Sequence, residues 1–302
     1  MTMPDYIRYS SSGTIFRSNL LYRFYRAVVA HARIAGALVN IAIMASCFLL
    51  STFMRPADAT ATARTTEVAA AQPIEVRYGQ FDSAGKSVED FYCEPPGRGV
   101  HPAVILLHGA VPRGAGNEAF AEMCRELATA GYYAMFVEYY SQAGPARAGD
   151  RPTVGRGFAR WVDGNYPVWT REIADAIDLL GRDPRIDRAR IALLGQSLGG
   201  FLALSVGANE GGRLAAIIEY YGALFHTPPS AIGNMSPVLI LHGSADRTIP
   251  MRYAYELNTM LDSFGRAHEM KIYPGAGHGL DAATRAEAWQ TTLAFLRRYF
   301  GR

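Results

Sequence analysis

The hexapeptide Gly195-Gln196-Ser197-Leu198-Gly199-Gly200 constrains this chain more than any other stretch. The apolar run Arg190-Ile191-Ala192-Leu193-Leu194 before it reads as a short buried strand. Phe201-Leu202-Ala203-Leu204-Ser205-Val206 after it reads as the start of a helix. A serine between glycines at such a junction fits G-x-S-x-G, a sharp turn that lifts the hydroxyl clear of a sheet edge. Small residues at Gly195 and Gly199 let neighbouring backbone come close. The turn also sets the Leu198 N–H at a helix amino terminus, where peptide dipoles favour negative charge, so Leu198 is a candidate oxyanion donor. By itself the pentapeptide is weak, because a chain with 30 glycines supplies glycine-rich βα turns freely. Its meaning depends on whether an acid and a histidine follow in order.

Both follow. Pro237-Val238-Leu239-Ile240-Leu241 reads as a buried strand running into His242-Gly243-Ser244-Ala245-Asp246, and Met270-Lys271-Ile272-Tyr273 as a shorter strand leading to Pro274-Gly275-Ala276-Gly277-His278. The chain order Ser197, Asp246, His278 is that of α/β-hydrolase triads. Loops at the carboxyl ends of three strands would converge on one edge of an open α/β sheet. Ser197 needs a base within reach, His278 would take and return its proton, and Asp246 would fix the imidazole tautomer. Taken singly, Asp246 also fits a turn aspartate and His278 a solvated loop histidine. Their coincidence in order, each after its own strand, favours the triad. Pro102-Ala103-Val104-Ile105-Leu106-Leu107 is a further strand, and the loop after it supplies the second oxyanion N–H in this fold. Ala110 is the candidate donor, with Val111 as the alternative; His108 reads as a residue that shapes the loop.

Several segments together resemble the dienelactone hydrolase family of the α/β-hydrolase superfamily. They are His108-Gly109-Ala110, Phe136-Val137-Glu138-Tyr139-Tyr140, Gly195 to Gly200, Tyr220-Tyr221-Gly222, His242 to Asp246 and Gly275-Ala276-Gly277-His278. The likeness runs from about Ile74 to the carboxyl terminus. The best-known members carry a cysteine where this chain has Ser197, and a glutamate tied to that cysteine where it has His108-Gly109. The resemblance therefore implies a serine hydrolase of carboxylic esters rather than of dienelactone itself.

Alternating strands and helices imply an α/β fold, a mostly parallel central sheet with helices on both faces. Lead-in strands are expected at Ile74–Phe81 and Val88–Cys93, and a further strand at Tyr132–Glu138. Helices are expected at Asn117–Ala130, Pro167–Leu180, Arg252–Phe264 and Ala282–Phe300. Between them, residues 139–165 hold Pro145, Pro152 and four arginines, and read as a long surface loop. Tyr139 and Tyr221 follow strand ends and are candidates for the substrate pocket.

Residues 34–54 carry no charge, follow Arg17, Arg23, Arg26 and Arg33, and precede Ala57-Asp58-Ala59. That order reads as a secretory signal ending in a small-residue cleavage site. The apolar stretch also matches the ~20 residues that span a bilayer, so an uncleaved anchor is the alternative. Residues 1–59 are thus a leader, 60–73 a linker and 74–302 the catalytic domain, exported or anchored through the leader, its only membrane contact. A net charge of +3 gives no case for nucleic-acid binding. No metal-site spacing occurs and no cofactor is expected; the partner is a small-molecule ester. Oligomeric state is not legible. Without Cys47, Cys93 and Cys124 remain, either paired or, for Cys124, a buried free thiol. A peptidase or amidase on the same triad, and a non-catalytic binding protein on the same fold, are the competing readings.

Overall fold

A computed structural model of the chain describes residues 73–110, 117–142 and 155–301. Eight strands form one sheet: β1 (Arg77–Ser83), β2 (Lys86–Cys93), β3 (His101–Leu107), β4 (Tyr133–Val137), β5 (Ile186–Gln196), β6 (Ala216–Tyr220), β7 (Val238–Gly243) and β8 (His268–Tyr273). Their spatial order is β1-β2-β4-β3-β5-β6-β7-β8. β1 pairs with β2, and β2 with β4, antiparallel; every later pairing is parallel. The chemistry of the strands explains the arrangement. β4, β6 and β7 are buried along their whole length, as parallel strands covered on both faces must be. β1, at the edge, is mostly exposed and carries polar residues.

Among the described residues, five α-helices cover the sheet: α1 (Asn117–Thr129), α2 (Gly155–Arg182), α3 (Leu198–Asn209), α4 (Arg252–Ser263) and α5 (Ala282–Phe300). Two apolar cores result. One lies under α2, α3 and α4, the other under α1 and α5. α3 is buried from Leu198 to Ala208, so it fixes the elbow that precedes it against both its neighbours and the sheet. Asp281 caps α5, its side chain accepting from the Thr284 N–H at 3.0 Å.

One expectation fails. The helix expected from Pro167 begins at Gly155, twelve residues earlier, and carries Pro167 inside it, so residues 155–165 are helical rather than loop. Proline removes an N–H and crowds the carbonyl four residues back. Here packing outweighs that cost: Trp169 is wholly buried and Val162 and Tyr166 nearly so. Side chains also take up nearby carbonyls, Asn165 donating to Trp161 O at 2.7 Å and Thr170 to Tyr166 O at 3.0 Å. Arg160 therefore lies on a helix, while Arg147 and Arg151 lie outside the described residues.

The cysteine question resolves as a disulfide. Cys93 at the end of β2 joins Cys124 of α1 with a Cα–Cα distance of 5.6 Å, and both residues are wholly buried. The leader and nearly all of the linker lie outside the described residues, and among the described residues no helix is long and apolar enough to cross a membrane.

Candidate active site

The site is built on the turn between β5 and α3. Ser197 has φ 54° and ψ −117°, a conformation that costs a residue with a Cβ roughly 1–3 kcal/mol. The surroundings hold it there. Its N–H donates to Tyr220 O of β6 at 2.9 Å, and its carbonyl accepts from Phe201 N at 3.1 Å. The flanking glycines are obligatory on steric grounds. A Cβ on Gly195 would lie 2.0 Å from Gly199 O, and one on Gly199 would lie 2.3 Å from Leu107 O. Ser197 occupies the N-cap of α3 yet makes no capping bond; its strained backbone sends Oγ outward instead.

Outward lies His278. Ser197 Oγ is 3.0 Å from His278 Nε2, and His278 Nδ1 is 2.8 Å from Asp246 Oδ2. A carboxylate can only accept, so Nδ1 carries the proton and Nε2 is free to accept from Ser197. Asp246 is held from its other oxygen: Oδ1 accepts from the Thr248 and Ile249 N–H groups at 2.8 and 2.9 Å. Its side chain is wholly buried. The loops after β7 and β8 are stitched together by Ala245 N to Ala276 O at 2.9 Å and Gly275 N to Ser244 Oγ at 2.8 Å. Gly243 permits this contact, since a Cβ there would meet Ala276 O at 2.4 Å. The structure thus brings Ser197, Asp246 and His278 into one hydrogen-bonded chain.

The other expected residues fall in two groups. Leu198 opens α3, so its N–H has no intrahelical acceptor. A Cβ on Gly109 would lie 3.3 Å from Ser197 Cβ, so the half-buried Ala110 follows directly on a contact with Ser197. Val111 lies outside the described residues. Tyr221 reaches the site: its ring packs edge-on against His278 with centroids 4.9 Å apart, and its hydroxyl donates to Gln196 Oε1 at 3.1 Å. Tyr139 does not line a pocket. It is wholly buried, its ring stacks on His108 at 3.9 Å, and its hydroxyl donates to His108 O at 2.5 Å. Packing between β4 and α2 has drawn it beneath the loop that carries Gly109 and Ala110. His108 is engaged there too, with Nδ1 2.7 Å from Gly109 O and Nε2 3.0 Å from Glu138 Oε1.

Two supporting residues carried signals that the sequence reading passed over. His242 is wholly buried, 2.8 Å from Ile249 O and 3.4 Å from Asp246 Oδ2. Burial holds its imidazole below the ordinary histidine range, so it stands beside Asp246 as a neutral group. Glu219 is a lone acid in the apolar strand Ala216-Ile217-Ile218-Glu219-Tyr220. It is wholly buried, and burial pushes its carboxyl up to about 8. Its Oε2 accepts from Gly222 N at 2.6 Å and so fixes the turn that lies against Gly200.

Among the described residues, no cluster of histidine, cysteine and carboxylate side chains could hold a metal ion. What the arrangement offers is a polarised hydroxyl beside an oriented imidazole and a helix amino terminus.

Known proteins share this architecture. A Salmonella typhimurium protein with the provisional name carboxymethylenebutenolidase is 26% identical over 240 residues, spanning 73% of this chain and 86% of its own length. An uncharacterized peptidase of Bacillus subtilis is 25% identical, but this chain spans only 38% of it. Among solved structures, a Klebsiella pneumoniae protein provisionally described as a dienelactone hydrolase matches with TM-score 0.64 and 22% identity, over 74% of this chain and all of that one. The acylaminoacyl peptidase of Pyrococcus horikoshii matches with TM-score 0.59 and 18% identity, over 76% of this chain and 42% of that one. At these identities the solved structures speak for the fold alone. The family model described as the dienelactone hydrolase family matches residues 89–300. With the α/β-hydrolase sheet already traced strand by strand, that match over most of the chain makes this protein a member of the dienelactone hydrolase family, a family of hydrolases.

Proposed function

We propose that this protein is a serine hydrolase that cleaves carboxylic esters by a two-step acyl-enzyme route. The observation that carries the reading is the chain Ser197 Oγ–His278 Nε2, 3.0 Å, and His278 Nδ1–Asp246 Oδ2, 2.8 Å. Ser197 Oγ attacks the ester carbonyl carbon while its proton passes to His278 Nε2. The carbonyl electron pair moves to oxygen, where the N–H groups of Leu198 and Ala110 receive the negative charge. Collapse of the tetrahedral species breaks the C–O bond, and the departing alkoxide takes the proton from His278. Water then gives a proton to His278 and attacks the acyl-enzyme. Collapse releases the acid and returns the proton to Ser197. Asp246 holds the imidazole tautomer and stabilises the imidazolium throughout. The Tyr221 ring against His278 forms one wall of the site.

Ser197→Ala is expected to abolish turnover of short p-nitrophenyl esters with the circular dichroism spectrum unchanged; full activity in that variant overturns the reading. Wild-type protein is expected to label with a fluorophosphonate probe, which a non-catalytic binding protein would not. A peptidase or amidase reading draws on the likeness to the two peptidases above. A panel of esters, lactones, amides and peptides given to the purified chain separates it from the esterase reading.

The charge-free stretch 34–54 behind five arginines supports export or membrane anchoring, and the buried Cys93–Cys124 disulfide fits an oxidising compartment. Amino-terminal sequencing of the mature protein distinguishes cleavage from anchoring.

A further inference from the structure

Away from the triad, a groove of about 490 Å³ opens between the β1-β2-β4 end of the sheet and the carboxyl-terminal turn of α2. Its base runs toward Tyr133 and Arg185, at the starts of β4 and β5, whereas Ser197, Asp246 and His278 follow strand carboxyl ends. One acid in this groove stands out. Asp90 of β2 is only 8% exposed, yet among the described residues its carboxylate has neither a hydrogen-bond nor an ion-pair partner. Loss of water is the sole influence on its titration and raises it to about 6, so at neutral pH the group remains a buried anion. An unpaired buried charge is costly and seeks a counter-ion.

The space over Asp90 is kept open by a glycine. Gly79 of β1 faces Asp90 in the strand register, and a Cβ on Gly79 would come within 2.9 Å of Asp90 Oδ1. The remaining walls favour a cation with an apolar body. Met135 and Leu180 are buried in the wall, and Leu179 projects with 42% of its surface exposed. Tyr92 and Tyr133 stack with centroids 5.5 Å apart, and this pair already receives one guanidinium, that of Arg185, 5.9 Å from the Tyr133 centroid. The charged residues of the rim neutralise one another: Arg185 pairs with Asp183 and Glu94, and Arg182 with Asp178. The carboxyl terminus of α2, a helix of 28 residues, lines the groove and adds the negative end of its dipole. A single carboxylate is too little for a divalent metal, which takes several oxygen ligands.

We propose that this groove is a binding site for an organic monocation, an ammonium or amidinium group carried on an apolar body. The group would pair with Asp90, while its body would lie against Tyr92, Met135 and Leu179. Benzamidinium and its neutral analogue benzamide test the idea on the full chain at pH 7.5. Binding is read from the methyl resonance of Met135, which reports on this groove and not on the triad. Benzamidinium is expected to shift that resonance saturably and to bind at least about tenfold more tightly than benzamide, the range of a charge-assisted hydrogen bond. D90N is expected to lose that tenfold advantage. G79A, which keeps the charge but sets a methyl group over it, is expected to bind several-fold more weakly than wild type. An unmoved Met135 resonance, equal affinity for the two probes, or wild-type affinity in either variant overturns the proposal.

Discussion

At the scale of single residues, the turn at Ser197 shows how sterics rather than propensity fix a site. Gly195 and Gly199 have no alternatives, because the atoms a Cβ would strike are backbone and cannot swing aside. Gly199→Ala is expected to destabilise the fold by about 3 kcal/mol or more, and to remove ester turnover even where folded protein survives. Chemical denaturation and the p-nitrophenyl ester assay check the two effects separately. These glycines were legible in the sequence, as were Ser197, Asp246 and His278, because each is tied to a local pattern of strand, turn and loop. Tyr139 was not. A tyrosine just after a strand end has the same local signature whether it faces a pocket or the core, and only the packing of β4 against α2 decides. Its bond to His108 O makes a different prediction. Under the proposed mechanism, Tyr139→Phe leaves the ring in place but frees that carbonyl, so kcat should fall several-fold with KM little changed, because the loop bearing Ala110, the proposed oxyanion donor, loses a fixed point. A rise in KM alone would instead assign Tyr139 to substrate binding.

At the scale of elements, legibility followed the strength of the periodic signal. β3, β5, β6 and β7 are runs of aliphatic residues, and such runs in an alternating βα pattern leave little choice but a parallel sheet. The first half of α2 was hidden because Pro167 and the glycines upstream imitate a loop, while the forces that make it helical come from Trp161, Tyr166 and Trp169 meeting Tyr140, Phe225 and one another. The disulfide between β2 and α1 was equally out of reach, since spacing does not give geometry. It closes a loop with a sequence separation of 31. In the chain-entropy model a loop of that size stabilises the folded state by about 3–4 kcal/mol. Reduction under mild denaturant should therefore lower the unfolding midpoint substantially and loosen α1 first. Mass spectrometry under non-reducing conditions should find the link intact in protein purified without reductant; a free Cys124 thiol in such material would contradict it.

At the scale of the whole molecule, three of the carboxyl groups that the fold buries among the described residues have titrations displaced by that burial: Asp90, Glu172 and Glu219. Burial raises Asp90 to about 6 and the two glutamates to about 8 each. They lie in different parts of the domain, Asp90 on β2, Glu172 on α2 and Glu219 on β6, so their effects should add. In the unfolded chain the same groups titrate at 3.8 for aspartate and 4.5 for glutamate. A group with a raised folded value holds its proton more tightly in the folded state. Its contribution is complete below the unfolded value and is lost as pH climbs through the folded one. Two kinds of group oppose this. His242, lowered by burial, gives a contribution that rises with pH up to the free histidine value of 6.5. Asp183, Asp187 and Asp281 are lowered by hydrogen bonds but sit at the surface, where solvent screens them, so the three raised acids still set the net slope above pH 6.5. Stability should therefore decline from about pH 6.5 to about pH 8 and then level, with each glutamate responsible for something on the order of 1–4 kcal/mol. Thermal melts across that range measure the slope. Glu219→Gln keeps the shape and the acceptor for Gly222 N but carries no proton to lose, so the variant should melt higher than wild type at pH 8 and show a shallower slope. If the slope is unchanged in that variant, Glu219 is ionised in the fold at neutral pH, and the turn against Gly200 is held by a charge rather than by a neutral acid.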